Sequence, residues 1–177
     1  MESRNNSCSV RECEKIVENF YKSENKVNVL SSKISTRPHI ICQDCSKTAP
    51  DINNTTRAAI RDKFPLEIVV CCDRLNETKI EEVLIHELVH AYDYSFNRCD
   101  FSTCAGLAYS EIRAAREAEC SKGFFPFGFM REMCVRDVAI RSTSNLFPES
   151  EATTCVDTAM PIAIKDLEPF SATTLKK

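Results

Sequence analysis

Apolar residues along this chain recur at three- and four-residue steps in some stretches and run together in others. Over residues 10–23, Val10, Cys13, Ile16, Val17 and Phe20 share one helical face, so the spacing predicts an N-terminal helix. Two short apolar segments follow, around Val27–Leu30 and Ile40–Cys42, the second just after Pro38. Residues 47–56 are rich in Pro, Asp, Asn and Thr and read as a loop. The β-branched run Leu66-Glu67-Ile68-Val69-Val70-Cys71 predicts a strand. A helix start follows at Thr78-Lys79-Ile80-Glu81, which fits a capping box. From there Ile80, Leu84, Leu88 and Ala91 form an apolar stripe.

Three further helices are expected, over Ala108–Lys122, Met130–Ser142 and Ser150–Ala159, the last ending before Pro161. Between the first two of these, FFPFGF (residues 124–129) is broken by Pro126 and Gly128 and reads as a hydrophobic loop folded over the core. The fold class is α+β, with more helix than strand. The expected organisation is an N-terminal helical segment over 1–25 and one compact domain over 26–177.

Composition narrows the function classes. The 177 residues carry 26 acidic and 23 basic side chains, a net charge of −3, which leaves no electrostatic footprint for nucleic acid. The longest clean apolar run, Ile68–Cys72, is far short of the roughly 20 residues of a spanning helix. The N-terminal stretch has no apolar core of a signal peptide, so an integral membrane protein and classical secretion are not expected. Eleven cysteines change the picture: Cys8, Cys13, Cys42, Cys45, Cys71, Cys72, Cys99, Cys104, Cys120, Cys134 and Cys155. They fit either structural zinc or disulfides. Cys42-x-x-Cys45 is half of a zinc signature, but no second CxxC follows at ribbon spacing. On a strand Cys71 and Cys72 face opposite ways, which suits two separate disulfides better. Disulfides are the favoured reading, with at least one thiol left over because eleven is odd.

The chemistry is concentrated at His86-Glu87-Leu88-Val89-His90, an H-E-x-x-H pentapeptide inside the capped helix. Residues i and i+4 stack on one helix face, so two imidazoles reach one ion, Zn2+ by this donor type. Glu87 lies one position along, where it can take a proton from an attacking water. The competing reading is two solvated or core histidines beside a chance glutamate. A catalytic zinc needs a third protein ligand. The remaining histidine, His39, lies upstream near a strand, so a carboxylate is expected instead. Glu111, on the next helix, is the first choice; Asp100 and Asp93 are its rivals, with Asp93 also placed to orient an imidazole from behind. The plain alternative for Glu111 is an ion pair with Arg113, Arg116 or another cation.

These residues carry a resemblance. Ile85–Asp93 (IHELVHAYD), Asp100-Phe101, Ser110-Glu111-Ile112-Arg113-Ala114-Ala115, Cys120, Cys134-Val135-Arg136-Asp137 and Glu168-Pro169-Phe170 occur in this order. The order resembles the mitochondrial inner-membrane metalloprotease family that processes and assembles ATP synthase, over about residues 41–170. The resemblance implies a zincin-like, disulfide-rich zinc endopeptidase with a small sheet beside the H-E-x-x-H helix. It implies a place in the intermembrane space, peripheral to the inner membrane. Its substrate would be a protein, such as the precursor of a mitochondrially encoded ATP synthase subunit, and it would also assist assembly. That oxidising compartment would account for the cysteines. The chain departs from the family pattern at Ser95 and Tyr109, where cysteines are usual, at Phe101 for a frequent Trp, and at Gly106 for a common His.

Two other functional readings stand beside the peptidase. One is an assembly chaperone with a structural or vestigial zinc site, for which residues 124–129 would supply an apolar client surface. The other is a zinc-dependent, protease-like protein of the nucleus or cytosol, which the near-neutral charge and eleven cysteines disfavour.

Overall fold

The computed structural model describes residues 7–49, 52, 54–122 and 127–170. The chain packs as two units, one ending at Ala91 and the other beginning at Tyr92. Each has its own core and its own pair of disulfides.

In the first unit, α1 (Val10–Lys22) starts on a capping box in which Ser9 and Glu12 satisfy each other's backbone N–H groups. It buries Cys13 and Val17, part of the stripe that predicted it. The Val27–Leu30 segment is a helix, α2 (Lys26–Lys33), capped by Asn25. The Ile40–Cys42 segment is strand β1 (His39–Gln43), and α3 (Cys45–Thr48) begins inside what the composition marks as loop. The Asp73 carboxylate accepts from the Cys45 N–H at 2.8 Å at the start of that short helix.

Strand β3 (Glu67–Cys71) lies at the centre of a three-stranded sheet of order β1-β3-β2. It runs parallel to β1, with Ile41 opposite Val69, and antiparallel to β2 (Ala58–Arg61), with Ala59 opposite Val69. Ile68, Val69, Val70 and Cys71 are all fully buried, so both faces of the central strand are covered. That explains a continuous apolar run instead of an alternating one. Edge strand β2 has a single β-branched residue, Ile60, and its sequence does not announce it; pairing with β3 makes it a strand. Cys13–Cys42 ties α1 to β1, and Cys45–Cys71 ties α3 to β3. The cysteines of the CxxC pair thus serve separate disulfides instead of forming half of a zinc site. Cys72 does not form the second bridge expected of the Cys71-Cys72 pair. It begins a 3-10 turn, Cys72–Arg74, as a free buried thiol.

Helix α4 (Glu77–Ser95) is continuous across Ala91. The Asn76 side chain, not the Thr78 hydroxyl, accepts from the third-residue N–H, that of Lys79, at 3.2 Å. The expected capping box at Thr78 is therefore displaced by two residues. An asparagine two positions earlier does the same work on the orphan N–H groups.

The second unit adds three helices, α5 (Cys104–Glu117), α6 (Gly128–Thr143) and α7 (Glu149–Ala163), packed on one another. Ala108, Ile112, Ala115, Val135, Ala139, Val156 and Ala163 fill the core between them. Cys104–Cys155 links α5 to α7, and Cys120–Cys134 links the end of α5 to α6. Helix α5 begins four residues earlier than its spacing predicts because Thr103 caps it, accepting from the Gly106 N–H at 3.2 Å. Helix α7 runs through Pro161 instead of stopping before it. Proline removes one N–H, while the last carbonyls, of Ala163 and Ile164, accept from the Arg116 guanidinium at 3.1 and 3.0 Å.

Of the FFPFGF segment, residues 124–126 lie outside the described residues. Gly128 and Phe129 belong to α6, and Phe127 and Phe129 are exposed rather than folded over the core. Among the described residues no helix is long and apolar enough to cross a membrane.

Four disulfides leave Cys8, Cys72 and Cys99 as thiols. Alkylation of the denatured, unreduced chain should therefore label these three positions and no others, as peptide mass spectrometry would read. Reduction should lower the melting temperature markedly, at about 2–4 kcal/mol for each bridge. Labelling at Cys104 or Cys155 before reduction would contradict the α5–α7 link.

Candidate metal centre

The candidate site starts on α4. Its apolar stripe behaves as the spacing predicts: Ile80, Leu84, Leu88 and Ala91 have no exposed surface. Val83, Ile85 and Val89 are also buried, so the helix is covered around most of its circumference. One strip is more open, and it holds His86 and Glu87. His86 and Glu87 are half-buried, while His90 is buried at 8% exposure, deeper than a cleft-facing position implies. One turn of helix brings the His86 and His90 rings to 4.8 Å between centroids, edge to face at 77°. Two imidazoles stacked on one face at that separation present neighbouring nitrogens, a donor pair suited to a borderline-soft divalent ion. The residues present therefore fit a zinc site on their donor chemistry and their spacing.

His39 is exposed at the start of β1. Glu111 lies on α5 and is buried at 7% exposure, unusual for a carboxylate. Its rivals are engaged otherwise. Asp100 is exposed and its Oδ1 accepts from the Ser102 N–H at 2.9 Å and hydroxyl at 2.6 Å, closing the turn before α5. These two hydrogen bonds hold its carboxyl below the usual range. Asp93 has no exposed surface; it accepts from the Ser110 hydroxyl at 2.8 Å and from the Arg113 guanidinium. Arg113, weighed as a partner for Glu111, is thus bound to Asp93, and Arg116 pairs with Glu117 at 2.8 Å.

Asp93 opens a buried polar network that the sequence does not reveal. Fully buried Arg113 also donates to the Glu168 carbonyl, and its Nε lies 3.7 Å from Asp166. Asp166 in turn accepts from the Tyr109 hydroxyl and from Arg98. Burial works to raise the Asp166 carboxyl, but the Tyr109 hydrogen bond and the Arg113 and Arg98 charges outweigh it and hold it low. The C-terminal segment is thereby fastened to the end of α4 and to α5. The signal for this network was present only as unpaired-looking charges: Arg98, Arg113 and Asp166 lie far apart in sequence, and nothing in the periodicity joins them.

Gly106 is required where it stands. A Cβ there would sit 2.0 Å from the Asp100 carbonyl oxygen, so the turn before α5 occupies the space a side chain would need.

With the geometry in place, the comparisons define the class. Residues 11–171 match the peptidase M76 family, and the chain belongs to that family. It is 31% identical over 144 residues to the "Mitochondrial inner membrane protease ATP23 homolog" of Xenopus laevis, covering 75% of this chain and 57% of that protein. The human protein of the same name is 30% identical over 144 residues, covering 75% and 55%. The "Mitochondrial inner membrane protease ATP23" of Meyerozyma guilliermondii is 30% identical over 115 residues, covering 58% and 48%. The chain spans about half the length of these curated relatives. No solved structure matches it.

Three outcomes follow from this geometry. Arg113→Ala strands the Asp93 carboxylate in the interior and should cost about 3–5 kcal/mol in a denaturant titration; a loss below 1 kcal/mol would contradict the buried pair. Gly106→Ala should cost about 1–3 kcal/mol by forcing the turn off Asp100, read the same way. Asp166 has its folded value below the unfolded one. Its stabilising contribution is therefore full above about pH 4 and lost as pH falls through the folded value. Asp166→Asn should flatten that acid-side loss in melting curves taken across the range.

Proposed function

We propose that this chain is the catalytic part of a zinc-dependent endopeptidase with a zincin-like arrangement around α4. The observation that carries the reading is the pair of imidazoles on α4, 4.8 Å apart with Glu87 between them in sequence. His86 and His90 are two ligands and Glu111 is the third. The burial of the Glu111 carboxylate supports that choice, as do the engagement of Asp93 with Ser110 and Arg113 and the surface turn made by Asp100. Zinc bound there would polarise the scissile carbonyl and ease deprotonation of water. Glu87 takes the proton of the attacking water and hands it to the departing amine. Asp93 holds the Tyr92–Ser95 end of α4 to α5 through Ser110 and Arg113.

The family relation supports a protein substrate. The names of the relatives support mitochondrial placement, and disulfides in both units suit the intermembrane space. The chain would lie peripheral to the inner membrane, processing an ATP synthase subunit precursor and assisting its assembly. A non-proteolytic chaperone role has one observation of its own. Phe127, Phe129 and Met133 are each more than half exposed at the start of α6, an apolar surface a membrane-protein client could use.

Glu87→Gln separates the readings. It should keep the fold and bound zinc and lower peptide cleavage by at least the 10²–10⁴-fold that is roughly typical of a lost general base. Near-normal cleavage, or loss of the metal, would overturn the role of Glu87. Glu111→Ala should weaken zinc binding at least roughly tenfold, with smaller effects on binding from Asp100→Ala and Asp93→Ala, as metal-competition titrations would read.

A further inference from the structure

The first unit holds a second cluster of metal-ligating groups that no part of the peptidase reading uses. The sulfurs of Cys13 on α1, Cys42 on β1 and Cys72 in the 3-10 turn all lie within 4.8 Å of one another. Cys13 and Cys72 are fully buried and Cys42 half-buried. A fourth thiol, Cys8, is buried beside them; its backbone N–H bonds to the carbonyl of Leu75, just past the turn, at 2.7 Å. Zn–S bonds of about 2.3 Å set the sulfurs of a tetrahedral thiolate site about 3.8 Å apart. The Cys72 sulfur thus lies within 4.8 Å of both members of the Cys13–Cys42 disulfide, so opening that bond leaves three thiols, from three different elements of the unit, gathered at one place.

We infer that Cys13, Cys42 and Cys72, with Cys8 as the fourth ligand, form a soft-metal thiolate site in the reduced chain, which the Cys13–Cys42 disulfide replaces on oxidation. The two states are alternative ways of fastening α1 to β1. Their interconversion balances with a disulfide compound as oxidant. The Cys13 and Cys42 thiolates give it two electrons, their sulfurs bond, the oxidant's S–S bond breaks, and its two thiolates take protons from water. The metal ion, left with Cys72 and Cys8, is released as those two thiolates take up protons from water and become free thiols.

The test uses the full chain, reduced with a phosphine under anaerobic conditions and titrated with Co2+ or Cd2+. Sulfur-to-metal charge-transfer absorption reports thiolate ligation, and the His86, His90 and Glu111 set contributes none of it. This readout therefore stands or falls separately from the peptidase reading. The reduced chain should develop the sulfur band with one equivalent of metal, and the oxidised chain should show none. Cys72→Ala and Cys13→Ala should each lower the affinity read from that band at least tenfold, with Cys99→Ala unchanged. Should either variant fail to fold, metal protection supplies the same answer in the natural sequence. Bound metal should slow alkylation of Cys8, Cys13, Cys42 and Cys72 and leave Cys99 unaffected. Absence of the band in the reduced chain, a band undiminished by Cys72→Ala, or protection confined to Cys120 and Cys134 would overturn the inference.

Discussion

A guanidinium with no exposed surface has to be matched by a charge of opposite sign, and in this protein Arg113 imposes that condition on the whole second unit. Its partner, Asp93, is equally buried and sits on α4 three residues past His90. Desolvating two such groups costs several kcal/mol each, so the pair is tolerable only with its remaining hydrogen-bonding positions filled. Ser110 fills one on Asp93, and the Glu168 carbonyl fills one on Arg113. The requirement propagates outward. Asp166 must stay near Arg113 and Arg98, and Tyr109 must donate to Asp166. Helix α5 and the residues after α7 are thereby held to Asp93 and Arg98, at the start of the second unit.

This arrangement also explains which parts of the candidate site were legible in advance. The i, i+4 histidines and the intervening glutamate follow from helix periodicity alone, and the structure draws their rings together as that periodicity demands. The central strand and the stripe on α4 were legible for the same reason, since burial of regular elements leaves a regular pattern. The ion-pair network was not. It joins Asp93, Arg98, Tyr109, Arg113 and Asp166 across more than seventy positions, and no local spacing encodes a long-range charge match. Strand β2 escaped detection because pairing with β3, not its own propensity, makes it extended. The cap of α4 was misplaced because Asn76 and Thr78 are both competent caps, and only the path of the chain leaving the 3-10 turn selects between them.

The cysteines show the same division between local and long-range information. Their number argued for disulfides, but partners are set by tertiary proximity. Cys71 and Cys72 are neighbours in sequence, yet one cross-links α3 to β3 while the other remains a thiol. The first unit receives two cross-links of nearly equal span, with separations of 26 and 29 residues, and the second a short and a long one, with separations of 14 and 51. The cost of closing such loops grows only logarithmically with length, so these bridges restrict the unfolded chain by comparable amounts. The short helix α3, too short to be stable alone, is fixed by Cys45–Cys71, and α2 by its packing on α1, rather than by intrinsic helicity.

Gly106 ties the two themes together. The turn from Asp100 to Thr103 has to bend tightly for α5 to begin with Cys104 already placed to meet Cys155. That bend brings the Asp100 carbonyl into the volume of any side chain at 106. Two residues in the same short stretch are therefore constrained for different reasons, one by a covalent partner and one by excluded volume. Their combined effect is to set where α5 starts. Ser110, Glu111 and Arg113 stand at fixed rotations about the axis of α5, so the starting point of the helix also determines that Ser110 and Arg113 both reach Asp93. A one-residue slip of register along α5 would turn that face by about 100° and break both contacts. The glycine contributes no atom to the buried network; it leaves room for the turn from which the helix bearing Ser110 and Arg113 starts.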